Sequence, residues 1–250
     1  MIAKRTRLLL TLAIAPLALA ACKSEPAKPG GDAPQGEAVA AVAPPAGKTW
    51  TEVVEVTADG GYKVGNPTAP IKLIEYGALS CSHCAEFSET GSKELLADFV
   101  GSGKVSYELR FFMLNALDVP ATLLATCGTP EAVVPLADQF WAFQKTMFSN
   151  LQANEAQLQA AGELPPQQRF GAIAKVGGMD TFFASRGIAQ AQGAACLADV
   201  NKATALANAT NKATSEMGVT GTPTFFINGT KIDGNTWPVV KLALRNAGAR

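Results

Sequence analysis

Two cysteines separated by two residues, Cys81 and Cys84, are the residues of this 250-residue chain whose types and spacing most directly indicate chemistry. They follow an apolar segment, 71–76, that predicts a buried strand, and they begin a segment, 82–100, that predicts a helix. Unpaired backbone N–H groups at a helix N-terminus stabilise a thiolate, and His83 adds a donor or a positive charge beside it. The sequence therefore predicts thiol–disulfide exchange, with one cysteine as the nucleophile and the other closing a small ring with it.

Three other interpretations of the pair are weaker. A structural zinc site needs four ligands, but Cys127 and Cys196 stand alone and His83 is the single histidine of the chain. An inert disulfide gains little from closing so short a loop. A copper-binding role for Cys81, Cys84 and His83 stays open as an alternative. We predict no metal and no cofactor.

The elements that must position the pair can be read from hydrophobic periodicity and turn residues. Strands are predicted at 50–57, 71–76, 104–112, 224–227 and 230–232, and helices at 82–100, 236–247 and almost throughout 117–217. Asn228-Gly229 is typical of a two-residue hairpin turn. The order is a βαβ unit and a ββα unit separated by a helical block, which predicts an α/β domain with a sheet of four or five strands.

The N-terminus has the features of an export signal. Basic residues at positions 4, 5 and 7 precede the apolar stretch 8–19, and the segment ends in Leu19-Ala-Ala-Cys22. That ending resembles the bacterial lipobox, in which Cys22 becomes the acylated first residue of the mature protein. Cleavage by an ordinary signal peptidase after Ala20 is the alternative. We assign residues 1–22 to a lipoprotein-type signal peptide.

Composition indicates a tether after the signal peptide, and it argues against nucleic-acid binding and against a membrane-spanning segment after the signal. Sixteen of the 26 residues in 23–48 are Ala, Pro or Gly, which predicts a disordered linker; a merely tolerated tail is the alternative. Lys and Arg together number 21, as do Asp and Glu, so no basic excess indicates nucleic-acid binding. After the signal, no uninterrupted apolar run is long enough to span a membrane.

Two motifs resemble those of the DsbA-like thiol:disulfide oxidoreductases, which are thioredoxin-fold proteins of the bacterial envelope. One is Gly65-Asn-Pro-Thr-Ala-Pro-Ile-Lys-Leu-Ile-Glu-Tyr76 leading into Cys81-Ser-His-Cys84-Ala-Glu-Phe87, and the other is Gly218-Val-Thr-Gly-Thr-Pro-Thr-Phe-Phe-Ile-Asn-Gly229. The resemblance covers about residues 50–248. It implies an α/β thioredoxin fold formed by 49–115 and 218–250, with an inserted all-helical domain at 116–217.

The same resemblance implies roles for single residues. Cys81 matches the nucleophile and Cys84 the resolving thiol, while Pro223 matches a cis-proline and Thr222 the residue whose backbone binds an extended substrate peptide. Glu75 matches an acidic position near the resolving cysteine. Taken alone, this strand residue is costly to bury ionised unless it manages protons, and a strand-end acid that simply reaches solvent is the alternative.

The function implied is that of a periplasmic, membrane-anchored dithiol oxidase, expected as a monomer. Its partners would be reduced or unfolded exported client proteins and a quinone-linked membrane reoxidant. Ser82 departs from the proline that strongly oxidising members often carry, so a reductase or isomerase of the same fold is the alternative. The resemblance also extends to disulfide isomerases, but those proteins carry a separate N-terminal dimerisation domain. Here only a tether and one short strand are expected before the fold, which argues against an isomerase.

The remaining cysteines predict a second disulfide. Five cysteines are an odd number, and with Cys22 acylated and the redox pair set aside, Cys127 and Cys196 remain. Two free thiols beside a dithiol oxidase would invite oxidation, so we expect them to pair as a structural bond at the two ends of the insertion. Two buried apolar cysteines are the alternative. An aromatic cluster over 140–148 is predicted to form the core of the insertion.

Overall fold

The computed structural model describes residues 36–250. The predicted signal peptide, Cys22 and the first part of the tether lie outside the described residues. The strands are β1 (Val54–Val56), β2 (Tyr62–Gly65), β3 (Ile71–Gly77), β4 (Val105–Phe111), β5 (Thr224–Ile227) and β6 (Thr230–Lys231). The helices are α1 (Ser82–Phe87), α2 (Asp118–Ala125), α3 (Pro130–Ala153), α4 (Glu155–Gly162), α5 (Pro166–Gly177), α6 (Met179–Ala184), α7 (Gln190–Leu197), α8 (Val200–Met217) and α9 (Trp237–Asn246).

The strands form one mixed sheet in the order β1-β2-β4-β3-β5-β6, in which only β3 and β4 are parallel. The sheet has six strands where the sequence predicts four or five, because β2 is short, ends in glycine and gave no clear alternation. The strand predicted over 50–57 is also shorter. Its first residues form a single 3₁₀ turn, Trp50–Glu52, closed by a capping box between Thr49 and Glu52.

The helix predicted at 82–100 begins at Ser82, and after α1 it continues through wider π-type turns at Ser88–Ser92 and Leu95–Val100. Gly91 lies against the indole of Trp237, where a Cβ atom would approach the ring to 2.8 Å. Glycine at this position therefore allows α9 to pack closely on the helix that carries the cysteines.

The helical block predicted at 116–217 consists of α2 to α8, and it does not have a core of its own. One cluster of buried apolar residues runs from the sheet through α1 into the block, and includes Leu73, Phe87, Phe140 and Phe183. The insertion therefore packs directly on the element that carries the redox pair. None of the helices in residues 36–250 is long and apolar enough to cross a membrane.

The second half of the predicted tether is ordered, which differs from the expectation for residues 36–48. The backbone N–H groups of Gly36 and Val39 donate to the last carbonyl of α9 and to a carbonyl two residues beyond it, and Val42 N–H donates to Ser102 O at 2.9 Å. The indole of buried Trp50 in turn donates to Val42 O at 2.7 Å. Backbone hydrogen bonds, which composition does not reveal, hold this strap (36–48) on the domain.

Candidate active site

Cys81 and Cys84 occupy the first turn of α1, directly after β3. Cys81 is the N-cap residue of the helix, in extended conformation, and its Sγ accepts a hydrogen bond from the backbone N–H of Cys84 at 3.2 Å. Both cysteines are buried and unbonded, so the structure describes the dithiol form. The sulfur of the first cysteine thus takes the position that a capping oxygen takes in other helices, where it faces unpaired N–H donors.

The two thiols differ in acidity. A hydrogen bond from the Cys84 side chain lowers the pKa of Cys81 to about 6, against the opposing effect of partial burial, and the backbone N–H groups of Cys84 and His83 act in the same direction. Burial raises the pKa of the Cys84 thiol well above its usual value, and so does the nearby carboxyl of Glu75. Near neutral pH, Cys81 is therefore a thiolate and Cys84 a thiol that stabilises it.

The loop before β5 meets the redox pair. The Thr222–Pro223 peptide bond is cis, and the carbonyl oxygen of Thr222 lies 3.2 Å from Cys81 Sγ, although 141 residues separate the two in sequence. The antiparallel pairing of β3 with β5 brings them together, since Tyr76 pairs with Thr224 just below both loops. The Thr222 side chain also contributes to the lowered pKa of Cys81.

Glu75 lies under the pair in the middle of the sheet. The side chain is completely buried, and its Oε2 accepts a hydrogen bond from the Tyr107 hydroxyl at 2.7 Å. Its Oε1 has no partner among the described residues. Burial raises the pKa of Glu75 to about 8, and the charges of Asp138 and Cys81 add to the effect. The alternative of an acid that reaches solvent is therefore wrong, while Tyr107 and Asp138 are neighbours that sequence reasoning missed.

His83 has an exposed side chain. The imidazole is 70% exposed, and its Nδ1 lies 3.6 Å from a carboxylate oxygen of Glu86, one turn along the helix. The contact of His83 with the Cys81 thiolate is made by its backbone N–H group. The ring is thus available to whatever binds at the surface of the site.

Cys127 and Cys196 are joined by a disulfide, with Cα atoms 5.9 Å apart and a sequence separation of 69 residues. Cys127 lies two residues after the end of α2, but Cys196 lies in α7, before the 18-residue helix α8. The expected disulfide is present, but the expectation that Cys196 starts the long helix leaving the insertion is wrong. The bond ties α7 to the end of α2 instead.

The described residues contain no group of three or more His, Cys, Asp or Glu side chains arranged to hold a metal ion. The aromatic cluster on α3 contributes partly to the core of the insertion and partly to the contact with the loop before the redox pair. Phe140 and Met147 are buried as predicted, and Phe148 is 40% exposed. Trp141 is buried against the sheet domain, where its indole N–H donates to the carbonyl of Ala78, just before the redox pair.

A buried thiol pair at the start of α1, opposite a cis-proline loop and beneath an inserted helical block, defines a thioredoxin-fold dithiol protein. The sequence matches a family model described as Thioredoxin over residues 57–243. The chain therefore belongs to the thioredoxin family, and the solved structures that it resembles include a protein-disulfide isomerase and a DsbA-named protein. The expected thioredoxin fold with a helical insertion is confirmed.

Two solved structures and two curated relatives illustrate the similarity. A protein-disulfide isomerase from Novosphingobium aromaticivorans has a TM-score of 0.70 and 30% identity, covering 75% of this chain and 97% of its own. Wolbachia pipientis alpha-DsbA1 has a TM-score of 0.62 and 20% identity, covering 80% of this chain and 98% of its own.

The curated relatives are both provisionally named protein-disulfide oxidoreductases. The one from Rickettsia prowazekii (strain Madrid E) is 25% identical over 191 residues, which are 73% of this chain and 60% of the relative. The one from Rickettsia bellii (strain RML369-C) is 24% identical over 184 residues, which are 74% of this chain and 63% of the relative. The chain thus spans about three-fifths of the length of these relatives.

Proposed function

We propose that this protein is a dithiol oxidase that introduces disulfides into exported proteins through Cys81 and Cys84. The observation that carries the proposal is the placement of the two thiols: Cys81 caps α1 and accepts from the Cys84 N–H at 3.2 Å, whereas Cys84 is fully buried. This placement makes the two thiols unequal in acidity, with the pKa of Cys81 lowered to about 6 and that of Cys84 raised. A stabilised thiolate favours the reduced form of the pair, and a pair that is stable when reduced is an oxidant when closed.

The reaction consists of two exchanges. A client thiolate attacks Sγ of Cys81 in the Cys81–Cys84 disulfide, so a client–Cys81 bond forms and Cys84 leaves with the electron pair. A second client thiolate then attacks the client sulfur of that mixed disulfide and displaces Cys81 as a thiolate. The client gains a disulfide and the protein is left as the dithiol. The low pKa of Cys81 makes it the better leaving group in the second exchange.

Glu75 is proposed to handle the proton of Cys84. A thiol with a raised pKa must be protonated when it leaves and deprotonated when the pair is reoxidised. The Glu75 carboxyl, with a pKa raised to about 8, can hold a proton at neutral pH and exchange it. Tyr107 donates to one of its oxygens and so orients the other, unpartnered oxygen.

Client chains are proposed to bind as extended peptides beside Thr222 and Pro223. The loop lies against Cys81, with the Thr222 carbonyl 3.2 Å from the nucleophilic sulfur. A peptide paired with the Thr222 backbone would have its cysteine next to that sulfur. This geometry supports an exchange that depends on the backbone of the client and tolerates many side chains.

The resemblance to the DsbA family supports a proposal for the cellular location, the membrane anchor and the reoxidant of the protein. We propose a location on the periplasmic side of the bacterial envelope, an anchor through acylated Cys22, and reoxidation by a quinone-linked membrane partner. The protein is proposed to act as a monomer. Radiolabelled palmitate incorporation tests the anchor, with a Cys22→Ser chain as its control.

The test of the oxidase function is the redox equilibrium of Cys81–Cys84 with glutathione, followed by oxidation of a reduced client. We expect the pair to remain reduced in buffers that oxidise thioredoxin, and the disulfide form to oxidise the client stoichiometrically. A Cys81→Ser chain should be inactive. An equilibrium as reducing as that of thioredoxin would contradict the proposal.

Isomerase activity is the second candidate, favoured by one observation. The solved structure with 30% identity is called a protein-disulfide isomerase. An isomerase resolves wrong disulfides starting from its dithiol form, so the reduced protein would reactivate scrambled, fully oxidised ribonuclease. An oxidase reactivates only the reduced enzyme. Comparing the two substrates separates these functions.

A further inference from the structure

The three residues between β3 and the nucleophile are each held by a side chain of the helical insertion. Trp141 Nε1 donates to Ala78 O at 2.9 Å, and Gln144 Nε2 donates to Leu79 O at 2.9 Å. Asp118 Oδ1 accepts from Ser80 N–H at 2.7 Å. We propose that Trp141, Gln144 and Asp118 are positioning residues that hold the 78–80 loop, and through it set how well the Cys81 thiolate is stabilised. The inference rests on the proposed function of that thiolate.

All three side chains are buried, with relative exposures of 4% for Trp141, 4% for Gln144 and 0% for Asp118. A buried polar group that loses its hydrogen-bond partner destabilises the folded state, and movement of the loop would leave such unpaired groups on both sides. The insertion therefore restrains the loop more strongly than apolar packing alone would.

The two donors on α3 act as a pair. Trp141 and Gln144 are three residues apart and so lie on the same face of the helix, which lets them reach consecutive carbonyls. Asp118 completes the set from the start of α2. Its carboxylate also accepts from the backbone N–H groups of Leu114 and Asn115, which fix the position of the carboxylate that holds the loop.

The loop is linked to the chemistry through one shared carbonyl. Ala78 O accepts both the Trp141 indole and the backbone N–H of Cys81, the latter at 3.2 Å. The Cys84 N–H donates to the Cys81 sulfur at 3.2 Å, so stabilisation of the thiolate requires the sulfur to remain close to this donor. If the loop relaxes, the N–H···S contact lengthens and the thiolate loses part of its stabilisation.

A matched pair of substitutions separates positioning from ordinary stabilisation. Gln144→Met removes the bond to the loop, whereas Asn150→Leu removes a similar amide-to-carbonyl bond from the same helix, to Gly177 O at 3.2 Å, away from the loop. Trp141→Phe is a second variant that keeps an aromatic ring but has no N–H donor. It serves if the Gln144 variant does not fold.

The experiment measures the rate of iodoacetamide alkylation at Cys81 against pH, and the glutathione equilibrium, on the reduced full-length protein. For Gln144→Met and Trp141→Phe we expect the pKa of Cys81 to rise by about half a unit to one unit, and the pair to become about three- to tenfold less oxidising. Asn150→Leu should lower the stability and leave both redox quantities unchanged.

Two results would overturn the inference. One is a Gln144 or Trp141 variant that loses stability but keeps the pKa and the equilibrium of the parent. The other is an Asn150 variant that shifts both quantities equally. Because alkylation needs no client, failure of the proposed function is distinguishable: the parent would then oxidise no client, while the pKa shift of the variants would still be seen.

Discussion

Glu75→Gln is expected to stabilise the reduced protein by an amount that increases with pH. The carboxyl has a pKa of about 8 when folded, against a usual value of 4.5. A raised pKa means that the folded state prefers the neutral acid, so stability is fully present below pH 4.5 and is lost as pH rises towards 8. A neutral amide removes this dependence.

The magnitude follows from the difference between the two pKa values. One pKa unit corresponds to about 1.4 kcal/mol, so burying this carboxyl costs about 3 kcal/mol at pH 7 and about 5 kcal/mol at pH 9. The neutral Glu75 acid and the glutamine amide are similar in their contacts. Tyr107 can donate to the oxygen of either one, and the Oε1 position has no partner in either case. Glu75→Gln should therefore recover most of this free energy.

Urea unfolding of the reduced parent and variant between pH 5 and pH 9 measures the effect. The two stability curves should lie closest together at pH 5 and separate as pH rises. Glu108→Gln is the contrasting control, because that buried carboxylate accepts from Arg110 at 2.7 Å, and its loss should lower stability. Parallel curves for the parent and Glu75→Gln would refute the reasoning.

Three further outcomes are expected. Replacing Cys127 and Cys196 by alanine, which opens a loop of 69 residues, should lower the free energy of unfolding by about 4 kcal/mol and leave Cys81 alkylation unchanged, as measured by urea unfolding and alkylation rates. His83→Ala retains the backbone N–H and should raise the pKa of Cys81 by less than His83→Pro, which removes it; alkylation against pH compares them. A chain starting at residue 44 should be less stable than one starting at residue 36 by about 1–2 kcal/mol, because it lacks the hydrogen bonds of the strap; equal urea midpoints would contradict this.

The local parts of the site could be predicted from the sequence. A strand at 71–76 followed by Cys81 at a helix start depends on periodicity and capping, which act over a few residues, and β3 and α1 begin where these signals indicate. The acidity of the nucleophile could be predicted for the same reason, since the Cys84 thiol and the N–H groups of Cys84 and His83, which all lower the pKa of Cys81, belong to the same turn.

Only the tertiary structure decided which distant groups meet the thiols. The contact of Cys81 with Thr222 depends on strand pairing across 141 residues. The Tyr107 hydroxyl on Glu75 and the Gln144 amide on Leu79 depend on how strands and helices pack, and no local pattern marks them. The strap was missed for a related reason: its composition predicts disorder, but its backbone bonds are made to partners up to about two hundred residues away. Long-range pairing and burial, rather than local propensity, thus select the groups that surround the redox pair.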